Sequence, residues 1–378
     1  MYMLTIKNRK NEIRAVKMLR ENGLLDEGLL PLVEVIVRKT KCDKAIDKET
    51  GKLARINKPY KTGSRKGEDR WVTYDDPSTE RDVTLEEISD LFPNMTVLVD
   101  YYRADMKKHK EADHSKCELT LKLNNSLDDY VSCIKEIARF PQLVPVITIK
   151  NGIDRLSPIQ VKELIRDLRL MNEDRPLAVR AESIDGYEEV LENSLTSSDF
   201  FIYDINEAPL ASRVVEMDEL EELDLSAQKI LLCSPRKRDI KNGKYAESCL
   251  IDGDHITDYA SYGFDGVGDY AGLRDVLPGT GGGTGCALAL LYNGEGNRFH
   301  AYVNEDYTLG QDGFETVVHQ VYSDRDKLEK HEGECLVLQR VAQWIANGEH
   351  GGWQSWIANT IVRYVQQLYL AHGNSYFI

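Results

Sequence analysis

The sequence predicts an α/β fold, a (β/α)8 TIM-like barrel, and three observations predict it. Seven short apolar runs, 2–6, 30–33, 95–99, 143–149, 177–179, 200–203 and 229–233, each stop at a charged or hydroxyl residue: Lys7, Glu34, Asp100, Lys150, Arg180, Asp204 and Ser234. Helical patterns separate most of these runs, and strands that alternate with helices make βαβ units and a parallel sheet. The length of 378 residues suits such a barrel with insertions, read as one decorated domain over 1–378.

The elements follow in chain order. After the first strand, Ile13, Val16 and Leu19 fall on one face of a helix that Asn22-Gly23 ends. The second strand, 32–37, is a dense β-branched run typical of a buried strand. A basic insertion then spans 38–92; its polar part, 38–70, carries 12 basic against 5 acidic residues and no clear periodicity. Its remainder, 78–92, reads as a helix with Thr84 as a cap. Strand three ends at Asp100, and a charged loop over 103–116 holds His109 and His114. Helix 127–140 starts near Ser126, strand four ends at Lys150, and Ser157-Pro158 opens helix 159–170, since proline fits a first helical turn.

Strands five to seven, with helices at 186–193 and 218–223, continue the alternation. The eighth strand must come from 262–270, a glycine-rich stretch that contains Asp269 and Tyr270. Two apolar runs, 286–291 and 298–303, flank Asn293-Gly294-Glu295-Gly296-Asn297 and predict a β-hairpin appended after strand eight, within a loop excursion over 275–330. Closing helices fill 335–370, where Trp344, Trp353 and Trp356 are expected to pack on the barrel exterior.

Bulk properties narrow the classes of function. A net charge of −15 argues against a general nucleic-acid coat protein, because phosphate-backbone binding rests on Lys and Arg. The seven cysteines are scattered and never spaced as C-x-x-C, as expected of reduced thiols in a cytoplasmic protein. The chain opens on a strand-like run and holds no stretch of about 18 apolar residues, which predicts neither secretion nor a membrane span.

Lys7 followed by Glu12, the run Pro31-Leu32-Val33-Glu34, the triplet Gly268-Asp269-Tyr270 before a late hairpin, and the terminal helix 356–368 together resemble the beta protein family of bacteria and phages. The resemblance runs loosely over nearly the whole chain. It implies a barrel-like α/β domain and a role in phage–host conflict, with no settled activity. The basic segment 38–70 and the glycine-rich 279–285 are departures from the family pattern.

In such a barrel the strand C-terminal ends meet at one mouth, where the chemistry sits. Glu34, Asp100, Lys150 and Asp204 are therefore the candidate catalytic residues, and Lys7, Arg180, Ser234, Arg236, Asp269 and Tyr270 the candidate ligand-binding ones. Mixed charges in a partly dry mouth shift one another's pKa values, toward a lysine base or a raised carboxylic acid. The bland alternative pairs Lys7 with Glu34 and Arg180 with Asp204 as a plug. Glu34, Asp100 and Asp204 also suit a divalent cation, although no His pair has ligand spacing and His109, His114, His255, His300 and His319 each read as a surface or loop residue. The glycine run 279–285 lacks the ending of a P-loop and reads as a lid or linker. The expected ligand is phosphate-bearing, a nucleotide or nucleic acid steered in by the basic segment 38–70 and by Arg236-Lys237-Arg238. An enzyme of phosphodiesterase type and a non-catalytic sensor with a protein partner both remain open.

Overall fold

The computed structural model describes residues 1–25, 28–61, 66–171, 175–247, 251–279, 285–328 and 335–372. Eight parallel strands close into a barrel: β1 (Tyr2–Lys7), β2 (Leu29–Val35), β3 (Val97–Tyr101), β4 (Leu143–Ile149), β5 (Ala178–Ala181), β6 (Phe200–Asn206), β7 (Gln228–Cys233) and β8 (Gly266–Asp269). They follow one another around the barrel in chain order, and β8 pairs back onto β1. Side chains of β1, β2, β3, β4 and β5 are buried throughout, as apolar runs in a sheet covered on both faces must be.

Register places the mouth. Lys7 lies opposite Glu34, Glu34 opposite Asp100, and Thr148 opposite Arg180. Asp204 sits two residues beyond Ile202, the register partner of Arg180, at a bulge where Asn206 adopts φ +55°. The glycines of the eighth strand let β1 approach: a Cβ on Gly268 would stand 2.8 Å from the Met3 carbonyl oxygen. Ala271 and Gly272, at φ +48° and +77°, then turn the chain away from the barrel.

The helices 127–137 and 158–171 are bounded much as the sequence predicts, with the Ser126 hydroxyl accepting from the Asp129 N–H. A further helix, Glu118–Asn125, fills the stretch between the charged loop 103–116 and the helix 127–137, with Thr120 and Leu123 buried. The hairpin strands β9 (Leu288–Asn293) and β10 (Arg298–Val303) pair antiparallel. The Trp353–His372 helix touches the Lys10–Glu21 helix and β9. Buried on nearly every face, it stacks Tyr364 on Phe299, and its Arg363 Nε donates to the Tyr292 carbonyl at 2.9 Å. Trp356 meets Trp344 edge-on and stacks on Phe314, whose ring Trp353 meets edge-on.

Backbone contacts divide the chain into two compact units, Met1–Val37 with Leu91–Ile378, and Arg38–Asp90. Within the second unit Arg55–Pro59 pairs antiparallel with Asp69–Thr73, and Thr40–Lys41 with Arg81–Asp82. The helix there begins at Thr84, later than the 78–92 pattern suggests: Asp82 accepts from the Thr84 N–H at 2.8 Å, and Asp76 caps a separate turn at Pro77–Thr79. Among the described residues no helix is long and apolar enough to cross a membrane.

Candidate functional site at the barrel mouth

The strand ends converge on Arg180. Its guanidinium, fully buried, donates from Nη1 to Glu34 Oε1 at 2.7 Å and to Asp100 Oδ2 at 2.9 Å, and from Nε and Nη2 to Asp204 Oδ2 at 2.8 and 2.6 Å. The Tyr270 hydroxyl accepts from Nη2 at 3.1 Å and donates to Glu34 Oε1 at 2.8 Å. Thr148 donates to the other oxygen of Asp100 at 2.9 Å. Lys7 bonds Glu34 and, at 2.7 Å, Asp275 Oδ1, and its ammonium lies 4.1 Å from the centre of the Tyr102 ring. Lys150 stands 4.5 Å over the same ring and 4.0 Å from Asp204. Tyr102 donates to Asp275, and Arg238 pairs with it from the solvent side.

Four cations, Lys7, Lys150, Arg180 and Arg238, thus face four anions, Glu34, Asp100, Asp204 and Asp275. Burial alone would raise every carboxyl. Against it, Lys7 and then Arg180 hold Glu34 below its usual range, Arg180 and Lys150 do the same for Asp204, and Lys7 and Arg238 depress Asp275 strongly. For Asp100 burial prevails over Arg180 and Lys150, and its carboxyl is raised. Burial likewise raises the Tyr102 and Tyr270 hydroxyls and lowers His109, packed against Tyr102, to about 4.

Seven of the ten residues singled out from the sequence therefore meet: Lys7, Glu34, Asp100, Lys150, Arg180, Asp204 and Tyr270. Three lie elsewhere. Asp269 accepts from Tyr2 at 2.8 Å and from Tyr364, and contacts His255 Nε2 at 2.6 Å, in a buried cluster that includes the final helix. Burial opposes charge on His255, yet the adjacent Cys233 sulfur and Asp269 push it up to about 10. Ser234 is buried, its hydroxyl directed at the Arg236 carbonyl, and Arg236 bonds Tyr245, Asn242 and Gly272. His109 does lie in the loop after β3, but at 7% exposed it is packed against Tyr102; His255, read as a surface or loop residue, is instead 4% exposed on the short helix Asp254–Asp258, against Asp269.

Asp275, Tyr102 and Arg238 complete the ring and were not chosen from the strand ends. Arg238 belongs to the basic run after strand seven, but Asp275 follows a loop and Tyr102 sits one residue past β3, with no pattern to mark either. Above the ring a cleft of about 890 Å³ opens between the loops that follow β3, β4, β5, β6, β7 and β8. Lys107, Lys108, Lys110, Arg213, Lys237, Arg238 and Arg274 line it, against Glu111, Glu182, Glu207 and Asp239. Arg238 and His109 form part of its floor and reach Asp275 and Tyr102 below. Lys107, Lys110 and Lys237 are exposed and carry no ion pair among the described residues. Gly279 lines the cleft, while 280–284 of the glycine run lie outside the described residues.

Fold and site define a closed parallel α/β barrel whose mouth is stopped by a balanced set of buried charges beneath a cationic cleft. No protein-family model, curated protein or solved structure matches the chain. Glu34, Asp100 and Asp204, the carboxylates suited to a divalent cation, are all turned onto the Arg180 guanidinium, and among the described residues no group of three or more His, Cys, Asp or Glu is arranged to hold a metal.

Proposed function

We propose that this protein recognises a phosphate-bearing ligand, a nucleotide or the end of a nucleic acid, in the cleft at the barrel mouth, as a binding protein of the beta-family type rather than a phosphodiesterase. One observation carries the reading: a chain with 63 acidic and 48 basic residues reverses that balance in its mouth cleft, where seven cations meet four carboxylates. Three of those cations, Lys107, Lys110 and Lys237, are exposed and unpaired, so a bound phosphate gains charge-assisted hydrogen bonds without breaking an existing pair. The ring below supports recognition over turnover. Its carboxylates are 0–3% exposed and already engaged by Arg180 and Lys7, so none is free to take a proton from a ligand in the cleft. The ring instead fixes the ends of six strands, and so the loops that carry the cations.

The test is fluorescence anisotropy with a labelled ATP and a 5′-phosphorylated oligonucleotide at two salt concentrations. Binding is expected to weaken as salt rises and to fall at least tenfold in the double variant K110E/K237E. Absence of binding to both probes, or the same affinity in the double variant, overturns the reading.

A further inference from the structure

A second, partly open pocket of about 300 Å³ lies between the loop after β8, the hairpin and the Trp353–His372 helix. One wall is apolar, from Leu288, Leu290, Trp353 and Ile357; the other carries Arg236 and Arg274. The remaining charges at its edge cancel, since Arg9 pairs with Glu12. Arg236 is only 8% exposed, yet every acceptor it meets among the described residues is neutral: the Tyr245 hydroxyl at 3.2 Å, the Gly272 carbonyl at 3.4 Å and Asn242 Oδ1 at 3.0 Å. These three contacts occupy three of its five N–H groups. Among the described residues Arg274 donates only to the carbonyls of Arg238 and Ile240, both at 3.2 Å. Neither arginine forms a salt bridge among the described residues. A buried cation without a counter-ion is costly, and a second one beside it raises the cost.

We infer that this cavity binds a small organic anion, whose acidic head group bridges Arg236 and Arg274 and whose flat apolar body lies against Trp353. The volume is at the low end for small-molecule sites, roughly 300–1,000 Å³. An aromatic acid satisfies both walls: its carboxylate or phosphate supplies the missing negative charge and takes up the spare N–H groups, and its ring covers the leucine and tryptophan surface. Inorganic phosphate would satisfy only the arginines and a neutral aromatic only the apolar wall. This site is distinct from the mouth cleft, although Arg274 and Val276 border both.

The test is isothermal titration of the full chain with benzoate, phenyl phosphate and benzyl alcohol, followed in parallel by tryptophan fluorescence. At least one of the two acids is expected to bind ten times more tightly than benzyl alcohol, and whichever does so identifies the head group. R274Q should lower that affinity at least tenfold, and I357F, which narrows the cavity, should abolish it. R236Q is expected to match R274Q; should it fail to fold, the other two variants decide. The cleft variant K110E/K237E should leave binding of the acid unchanged, whatever it does to ATP. The inference is overturned by failure of both acids to bind, by equal binding of the neutral alcohol, by wild-type affinity in R274Q or I357F, or by loss of the acid in K110E/K237E.

Discussion

Arg180 is the residue on which the mouth turns, since three carboxylates from three strands end on one guanidinium. A planar fork with five donors can hold them at once, and a lysine ammonium cannot. Such a network adds little net stability over apolar packing, but removing one partner strands the others in a dry interior. R180M should therefore destabilise the protein by about 3–5 kcal/mol, and R180K by a large part of that, in urea denaturation. K150M removes a cation that is 4.0 Å from its nearest carboxylate and has no hydrogen bond of its own among the described residues, so its cost should be less than half that of R180M. Equal losses in R180M and K150M would show that the ring acts through its total charge and not through the directed bonds of Arg180.

At the scale of elements, seven strand positions were legible because the apolar runs are short, β-branched and stopped by polar residues. The converging charges were legible for the same reason: once a strand's end is known, register brings Lys7, Glu34 and Asp100 side by side. What failed was a ring member supplied by a loop, or a strand-end residue turned away from the mouth. Asp269 ends its strand as the others do, but faces Tyr2 and Tyr364, and nothing local distinguishes an outward from an inward side chain on so short a strand. Asp275 joins the ring from a loop of no regular period. The glycines of strand eight obscured it in sequence for a steric reason, since they make room for β1. G268A would bring a Cβ within 2.7–2.9 Å of Met3 side-chain and backbone atoms. It should cost about 1–3 kcal/mol in the same denaturation assay, as overpacking does, although the position's φ suits any residue. An unchanged midpoint would mean that β1 and β8 are not held at this spacing.

At the scale of the whole molecule, the buried titratable groups set how stability varies with pH. Glu34, Asp204 and Asp275 have lowered pKa values in the folded state, so what they contribute is present above the ordinary carboxylate range and is lost as the pH falls through their folded values. His109, at about 4 when folded against an ordinary 6.5, acts in the same direction. The unfolded chain binds its proton first, and stability drops as the pH falls from 6.5 toward 4. Asp100, raised by burial, opposes this trend within the acid range. His255 has the other sign. Its folded value of about 10 means that its contribution is complete below pH 6.5 and disappears as the pH rises toward 10. The stability curve should therefore fall on both sides of roughly pH 6–7, with a separate histidine behind each limb. Thermal denaturation across pH 4–10 checks this: H109Q should flatten the limb between 6.5 and 4, and H255Q the limb between 6.5 and 10, each leaving the opposite limb in place. An alkaline limb of wild-type slope in H255Q would remove the Cys233–His255–Asp269 cluster as the source of alkaline sensitivity and would place the loss among the tyrosines around it.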